Sequence, residues 1–211
     1  MKICKVVFAL LGVGIAGSAC ANLLTNGGFE DMPNWGMGVS GDSGYTALTG
    51  SQIPGWTIES GHAGTIHNTN MYPYISGGYS LNTDGEGTFS HNVDIYQDFV
   101  GANSVGYSLT FDWKNWYTDN NVFLSVSVTD TVTNTTLVSG SFGMAAGLHS
   151  EVLNFNGTGN ALRLRVKHDP ELGYNDNAFI VDNFSVQAVP EPASIVTMLV
   201  GAACILRSRK R

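Results

Sequence analysis

The chain is short of cysteine, of positive charge and of amphipathic helical runs, and each shortage removes a class of protein. Its three cysteines, Cys4, Cys20 and Cys204, all lie in apolar stretches at the two ends. The centre therefore has no disulfide framework and no thiolate chemistry, and must be held by a buried core or a metal ion. Charged residues make up only 13%, while Gly (26), Ser, Thr and Asn abound. With no amphipathic run of three helical turns between Asn22 and Val189, that composition suits strands and turns and argues against a helical fold. Of the ten Lys and Arg, only Lys114, Arg163, Arg165 and Lys167 fall in the centre. Sixteen of the seventeen acidic residues lie there, leaving residues 22–189 with twelve net negative charges when His is neutral. Phosphate backbones are repelled by such a domain, so nucleic acid is not an expected partner.

Catalytic signatures are scarce too. There is no Gly-x-Ser-x-Gly elbow, no phosphate-cradling glycine loop before a helix and no Ser, His, Asp set. His62 and His67 stand five apart in a Gly-rich stretch read as a loop, without the helical spacing of a zinc site. The chain is expected not to be an enzyme.

What is present is clearest at the ends. Met1 to Ala21 has basic Lys2 and Lys5, an apolar run from Val6 to about Ala16, and the small-residue ending Ala19-Cys20-Ala21. Those are the three parts of a secretory signal, with signal peptidase expected to cut after Ala21. Acylation at Cys20, as in a lipoprotein, is the competing reading. The other end carries Pro190-Glu191-Pro192, fourteen mainly apolar residues from Ala193 to Leu206, and the basic cluster Arg207, Arg209, Lys210 and Arg211. This resembles the PEP-CTERM sorting signal, which an exosortase recognises and cuts at the inner membrane of Gram-negative bacteria that make exopolysaccharide. Fourteen helical residues reach about 21 Å, short of a hydrocarbon core of about 30 Å, so the tail is a marginal anchor. Basic residues flanking apolar segments stay in the cytoplasm, which places both chain ends inside and the domain between them outside. The two prolines leave an extended segment before the helix that a protease can reach. A permanent C-terminal membrane anchor is the alternative. The expectation is an exported protein that passes transiently through the inner membrane and ends at the cell surface or secreted.

Residues 22–189 read as one all-β domain, flanked by the signal helix and the short apolar C-terminal helix. Leu162, Leu164 and Val166 alternate with Arg163, Arg165 and Lys167, so one face is apolar and the other basic. Tyr107, Leu109, Phe111 and Trp113 alternate likewise. Period-two runs predict strands at 79–82, 94–99, 107–115, 122–129, 136–142, 149–156, 161–168 and 178–187. The threonines between Thr129 and Thr135 could be taken for an ice-facing array, but they occur once and carry Asp130 and Asn134, which predicts a hairpin turn.

Four motifs follow in order: Asn22-Leu23-Leu24-Thr25-Asn26-Gly27-Gly28-Phe29-Glu30, Ile53-Pro54-Gly55-Trp56-Thr57, Ile95-Tyr96-Gln97-Asp98-Phe99 and Val181-Asp182-Asn183-Phe184-Ser185-Val186. Together they resemble galactose-binding-like and carbohydrate-binding jelly rolls, with the first motif as an opening strand. The resemblance implies a jelly-roll β-sandwich. It also implies a structural Ca²⁺ tying the first and last strands through Glu30 and Asp182, with carbonyls at Asn26 and Gly28 as candidate partners; the alternative makes both carboxylates solvated edge residues. Sugar binding needs aromatic faces beside Asn, Asp or Gln. The segment Trp113 to Asn121 offers Trp116, Tyr117, Asp119 and Asn120, with Trp113 expected in the core. The segment Asn68 to Tyr74 offers Tyr72 and Tyr74. Trp56 is expected in the core. The expected function is a non-catalytic, polysaccharide-associated binding module, with a purely structural envelope protein or a polysaccharide-active enzyme as alternatives.

Overall fold

Alternation of side chains along ten strands builds the molecule. The computed structural model describes residues 21–31, 45–67, 74–83, 93–115, 123–143, 145–169 and 179–189. The strands are β1 (Tyr45–Gly50), β2 (Thr57–His67), β3 (Tyr79–Asn82), β4 (Asp94–Val100), β5 (Gly106–Asn115), β6 (Phe123–Asp130), β7 (Thr135–Gly143), β8 (Leu148–Asn156), β9 (Ala161–Asp169) and β10 (Phe179–Ala188). All pairings are antiparallel, in the order β7-β6-β9-β4-β2-β3-β10-β5-β8, with β1 on β2. The long β2 is the corner: its start pairs with β4 and its end with β3. The ladder thus folds into two facing sheets, sheet A (β7-β6-β9-β4 and the start of β2) and sheet B (the end of β2, β3, β10, β5 and β8). This is an all-β jelly-roll sandwich; the alternation predicts its strands, and the jelly roll is what the four-motif resemblance implies.

Between the sheets lie Ile95, Leu124, Val126, Leu162, Leu164 and Val166 from sheet A and Leu81, Leu109, Phe111 and Val181 from sheet B, all essentially without exposure. Phe142 of β7 reaches across to Phe111 and Trp113, with ring centroids 5.3 and 6.0 Å away, closing the open side. The predicted hairpin between β6 and β7 is present. Asp130 accepts the N–H groups of Val132 and Thr133 and the Asn160 amide, while Thr131 donates to the Ala161 carbonyl. Hydrogen bonds from the Thr158 hydroxyl, the Asn160 amide and the turn's N–H groups hold the Asp130 carboxyl well below the usual carboxylate range. The threonines belong to a turn, with Asn134 at φ 56°.

Eight strands fall within a residue or so of their predicted bounds, but three features differ. β1 and β2 had no period-two signature, because β2 carries Gly61 and Gly64 and is specified by its partners rather than by its pattern. His62 and His67 therefore lie on a strand and not in a loop. The expected opening strand at Asn22–Glu30 is instead a run of bends and turns, since Asn26 (φ 51°) and Phe29 (φ 55°) take left-handed backbone that breaks the extended ladder twice within four residues.

That irregular segment ties the sheets together. β10 bulges at Asn183 (φ 56°), and beyond the bulge its edge is taken over from β3 by the N-terminal residues. Leu23 N–H donates to the Val186 carbonyl, Phe184 N–H to the Gly27 carbonyl, and Asn22 pairs through its amide with the Phe184 carbonyl and the Val186 N–H. A Cβ on Gly27 would stand 1.9 Å from the Phe184 oxygen, so only glycine fits this approach. On the opposite side, Gln97 of β4 mimics a strand: its Oε1 accepts the Thr25 N–H at 2.6 Å and its Nε2 donates to the Thr25 carbonyl at 2.9 Å. Phe29, Trp56 and Phe184 meet beneath the segment at centroid separations of 5.4 to 6.2 Å, and Phe184 stacks on Phe111 at 5.1 Å. The Trp56 indole N–H donates to the Asn26 carbonyl.

Replacing Gln97 with Met keeps its bulk and removes both partners of the part-buried N–H and C=O of Thr25. The expected cost is about 2–4 kcal/mol of unfolding free energy in denaturant titration, with faster amide exchange at residues 23–29. Phe184→Ala should cost about 3–5 kcal/mol by the same measurement.

Candidate functional site

Outward-facing residues of sheet A form a polar platform. Strand register sets its rows: Thr57, Tyr96, Arg165, Ser127 and Ser139 lie side by side across five strands, flanked by the row Asp98, Arg163, Thr129 and Thr136. The other flanking row is Asp94, Lys167, Ser125 and Ser141. β4 and β9 contribute an aromatic ring and charges; β6 and β7 contribute hydroxyls. Arg163 is held by Asp98 through two hydrogen bonds of 2.7 and 2.9 Å, and its guanidinium carbon sits 3.6 Å from the Tyr96 ring centroid. Arg165 grips Asp94 with both Nε and Nη2 and reaches Glu59 at 2.9 Å. The charge-assisted hydrogen bond to the partner carboxylate raises each guanidinium above its ordinary value. Phe123, at the start of β6, faces the same way, 44% exposed, with its ring edge against Gly143.

Neither Tyr96 nor Phe123 was singled out by the sequence reading. The signal was available for Tyr96, since the alternation that buries Ile95, Gln97 and Phe99 turns Tyr96 outward with Asp94 and Asp98. Phe123 was read only as part of a strand. Of the expected sugar-contacting residues, Trp116, Tyr117, Asp119, Asn120 and Tyr72 lie outside the described residues, as do Ala19, Pro190, Glu191, Pro192, Arg207, Arg209, Lys210 and Arg211. Ala21 is described and exposed. The 116–122 connection runs from the end of β5 directly into Phe123. Tyr74 is half-buried, and its carbonyl accepts the Lys114 ammonium, whose pKa burial lowers. Trp56 and Trp113 are in the core, as expected, with the Trp113 indole N–H donating to Glu151.

Glu30 and Asp182 come together on the outer side of sheet B. Both flank Gly28, where a Cβ would lie 3.8 Å from Asp182 Oδ1 and 3.9 Å from Glu30 Cγ. Neither is a solvated edge residue with nothing to pair. Glu30 accepts the N–H groups of Gly78 and Tyr79, and a Cβ on Gly77 would stand 1.8 Å from its Oε1. Asp182 is fully buried and accepts the hydroxyls of Ser76 and Ser80 and the N–H groups of Ser76 and Asn183. Burial pushes its carboxyl up to about 6, and those hydrogen bonds only partly oppose the shift. The donors are all oxygen, which suits a hard cation. No group of three or more His, Cys, Asp or Glu gathers among the described residues, so a cation here would also need carbonyl or hydroxyl oxygens.

Residues 22–187, nearly the whole of the domain, match the model of a family described as a protein of unknown function, DUF642. The chain belongs to the DUF642 family. No curated protein matches it. Among solved structures, an arabinose-bound α-L-arabinofuranosidase aligns over 82% of this DUF642 chain and 27% of its own length, with a TM-score of 0.53 and 17% identity. The DUF642 chain thus spans about a quarter of that enzyme. TmCBM61, a carbohydrate-binding module in complex with β-1,4-galactotriose, aligns over 80% of this chain and 99% of its own at TM-score 0.49 and 12% identity. A family 16 carbohydrate-binding module aligns over 78% and 99% at TM-score 0.47 and 14% identity. At these identities the likeness is one of fold.

An acid whose folded-state value of about 6 lies above its ordinary value of 3.8 favours folding only while protonated. Its contribution is complete below 3.8 and is lost as the pH rises to about 6. In chelator, the melting temperature of wild type should therefore fall relative to Asp182→Asn across that interval and run parallel above it. Calorimetry at stepped pH checks this; parallel curves throughout would show that Asp182 does not titrate there.

Proposed function

We propose that this chain is a non-catalytic polysaccharide-binding module, exported and sorted at the cell envelope, that holds its ligand on the outer face of sheet A. The observation that carries the reading is Tyr96, backed on one ring face by Arg163 and set beside a floor of serine and threonine hydroxyls that ends at Phe123. Aromatic rings pack against the C–H faces of sugars, and hydroxyls and amides match sugar hydroxyls without net charge. Trp116, Tyr117, Asp119 and Asn120, which precede Phe123 in the sequence, are of the same chemical kind. Export and sorting rest on the signal-like Met1 to Ala21 and on the Pro190-Glu191-Pro192 tail with its basic end. Signal peptidase and an exosortase are the processing partners, and extracellular polysaccharide is the resident one.

A structural Ca²⁺ at Glu30 and Asp182 belongs to the same proposal. Bound there, the ion would supply the positive charge that buried Asp182 lacks, and its hold on Glu30 would fasten the N-terminal segment to β10.

Two measurements test these readings. On a polysaccharide array, Tyr96→Ala and Phe123→Ala should each weaken binding by up to about tenfold. Loss confined to Trp116→Ala and Tyr117→Ala would move the site to the connecting segment, and no binding by wild type would favour a purely structural envelope role. For the ion, adding Ca²⁺ after chelation should raise the melting temperature of wild type and leave Asp182→Asn unmoved; equal behaviour of the two removes the metal site.

A further inference from the structure

We infer that the outer face of sheet A is built to select uncharged glycan chains and to reject polyuronates. The inference rests on the polysaccharide-binding reading above and names the ligand class that this face admits.

Three of the centre's four cations stand on one strand and one face, which taken alone would suggest a landing strip for a polyanion. The neighbouring strands reverse that meaning. The Nε/Nη2 edge of Arg163, one of the two with which a guanidinium grips a carboxylate, is occupied by Asp98. Arg165 is engaged in the same two-pronged way by Asp94, and its Nη2 is shared with Glu59. The third cation, Lys167, sits in register with Asp94 on β4. Asp94, Asp98 and Glu59 match the three cations, and Asp169, next along β9 and in register with Phe123, adds a fourth carboxylate, so the platform has no net positive charge. A uronate reaching either arginine would meet a cation whose charge a carboxylate already compensates, and would gain little net attraction unless it displaced that carboxylate. It would also have to approach a domain carrying twelve net negative charges.

The ion pairs do more than neutralise. Asp98 fixes the guanidinium of Arg163, and that guanidinium covers one face of Tyr96 at 3.6 Å, so a sugar can stack only on the opposite face. From Tyr96 the surface crosses Arg165, held by Asp94 and Glu59, to Ser127 and continues through the uncharged Ser125 and Ser141 to Phe123. Phe123 lies four residues along and two strands across, about 16 Å away at normal sheet spacings, enough for a run of several sugar rings between two aromatic stops. Such a track recognises hydroxyl patterns and C–H faces, not carboxylates.

The purified protein is tested by affinity electrophoresis against β-1,4-galactan, xylan and dextran as neutral chains and against polygalacturonate and alginate as acidic ones, at low and high salt. Wild type should be retarded by at least one neutral polymer, with less than about a twofold change on adding salt, and by neither acidic one. The variant Glu59→Gln/Asp98→Asn alters two half-exposed carboxylates and frees Arg163; it should gain retardation by polyuronate that salt abolishes. Retardation of wild type by polyuronate as strong as by any neutral chain overturns the inference and leaves the polysaccharide-binding reading intact. Indifference to every polymer overturns that reading and the inference with it. A double variant that melts like wild type yet still ignores polyuronate removes the ion pairs as the selecting device.

Discussion

The pairing of Gln97 with the backbone of Thr25 is the contact on which the rest of the sandwich turns. A β-sandwich must keep two sheets in fixed register with no covalent link between them, and this centre has no cysteine with which to make one. Here the link is a peptide segment with no strand of its own. It borrows a side-chain amide from β4 on one side and the free edge of β10 on the other. Below it, Phe29, Trp56 and Phe184 bring together three distant parts of the chain, so the polar lacing closes over an apolar joint. The bulge at Asn183 makes this possible: by adding one residue to β10 it ends the pairing with β3 and frees the edge that Leu23, Gly27 and Asn22 occupy.

The four motifs that suggested a carbohydrate-binding jelly roll are largely the parts of this clasp. Asn22, Gly27, Trp56, Gln97 and Phe184 are each explained by a hydrogen bond, a close approach or a ring contact at the joint. Their shared role is architectural, which is why they signal a fold so clearly and say little of a ligand. The proposed ligand surface is the outer face of sheet A. There the rigid ladder spaces the outward side chains, and the cross-strand pair of Arg163 and Asp98 holds a guanidinium against the half-buried Tyr96.

Legibility followed the reach of each interaction. Where a strand buries one face only, as β9 and β5 do, the alternation in sequence named both the strand and its inward residues. Where a strand is the corner between two sheets, as β2 is, its glycines erased the pattern and its neighbours supplied the order. Asn22–Glu30 looked like a strand because it occupies a strand's place; two left-handed residues decide otherwise, and glycine-rich Asn-Gly-Gly tolerates either outcome. Glu30 and Asp182 were paired by resemblance, and they do flank the same glycine. The loop at Ser76 to Ser80 that fills the coordination of both was not foreseen, because its contacts cross more than a hundred residues to Asp182.

By itself, the sequence determined that the centre is a cysteine-free, acidic β domain, which residues of β5 and β9 turn inward, and that Arg163, Arg165 and Lys167 share one face. Those are local properties, set by composition and by the two-residue period of a strand. Only the tertiary structure decided what that basic face means. Strand order places β4 and the start of β2 beside β9, bringing Asp94, Asp98 and Glu59 against the arginines, and a stripe that reads as cationic becomes a charge-compensated, aromatic-bearing platform. Charge acts through space over a few ångströms, and which carboxylate lies within that distance is settled by sheet topology alone.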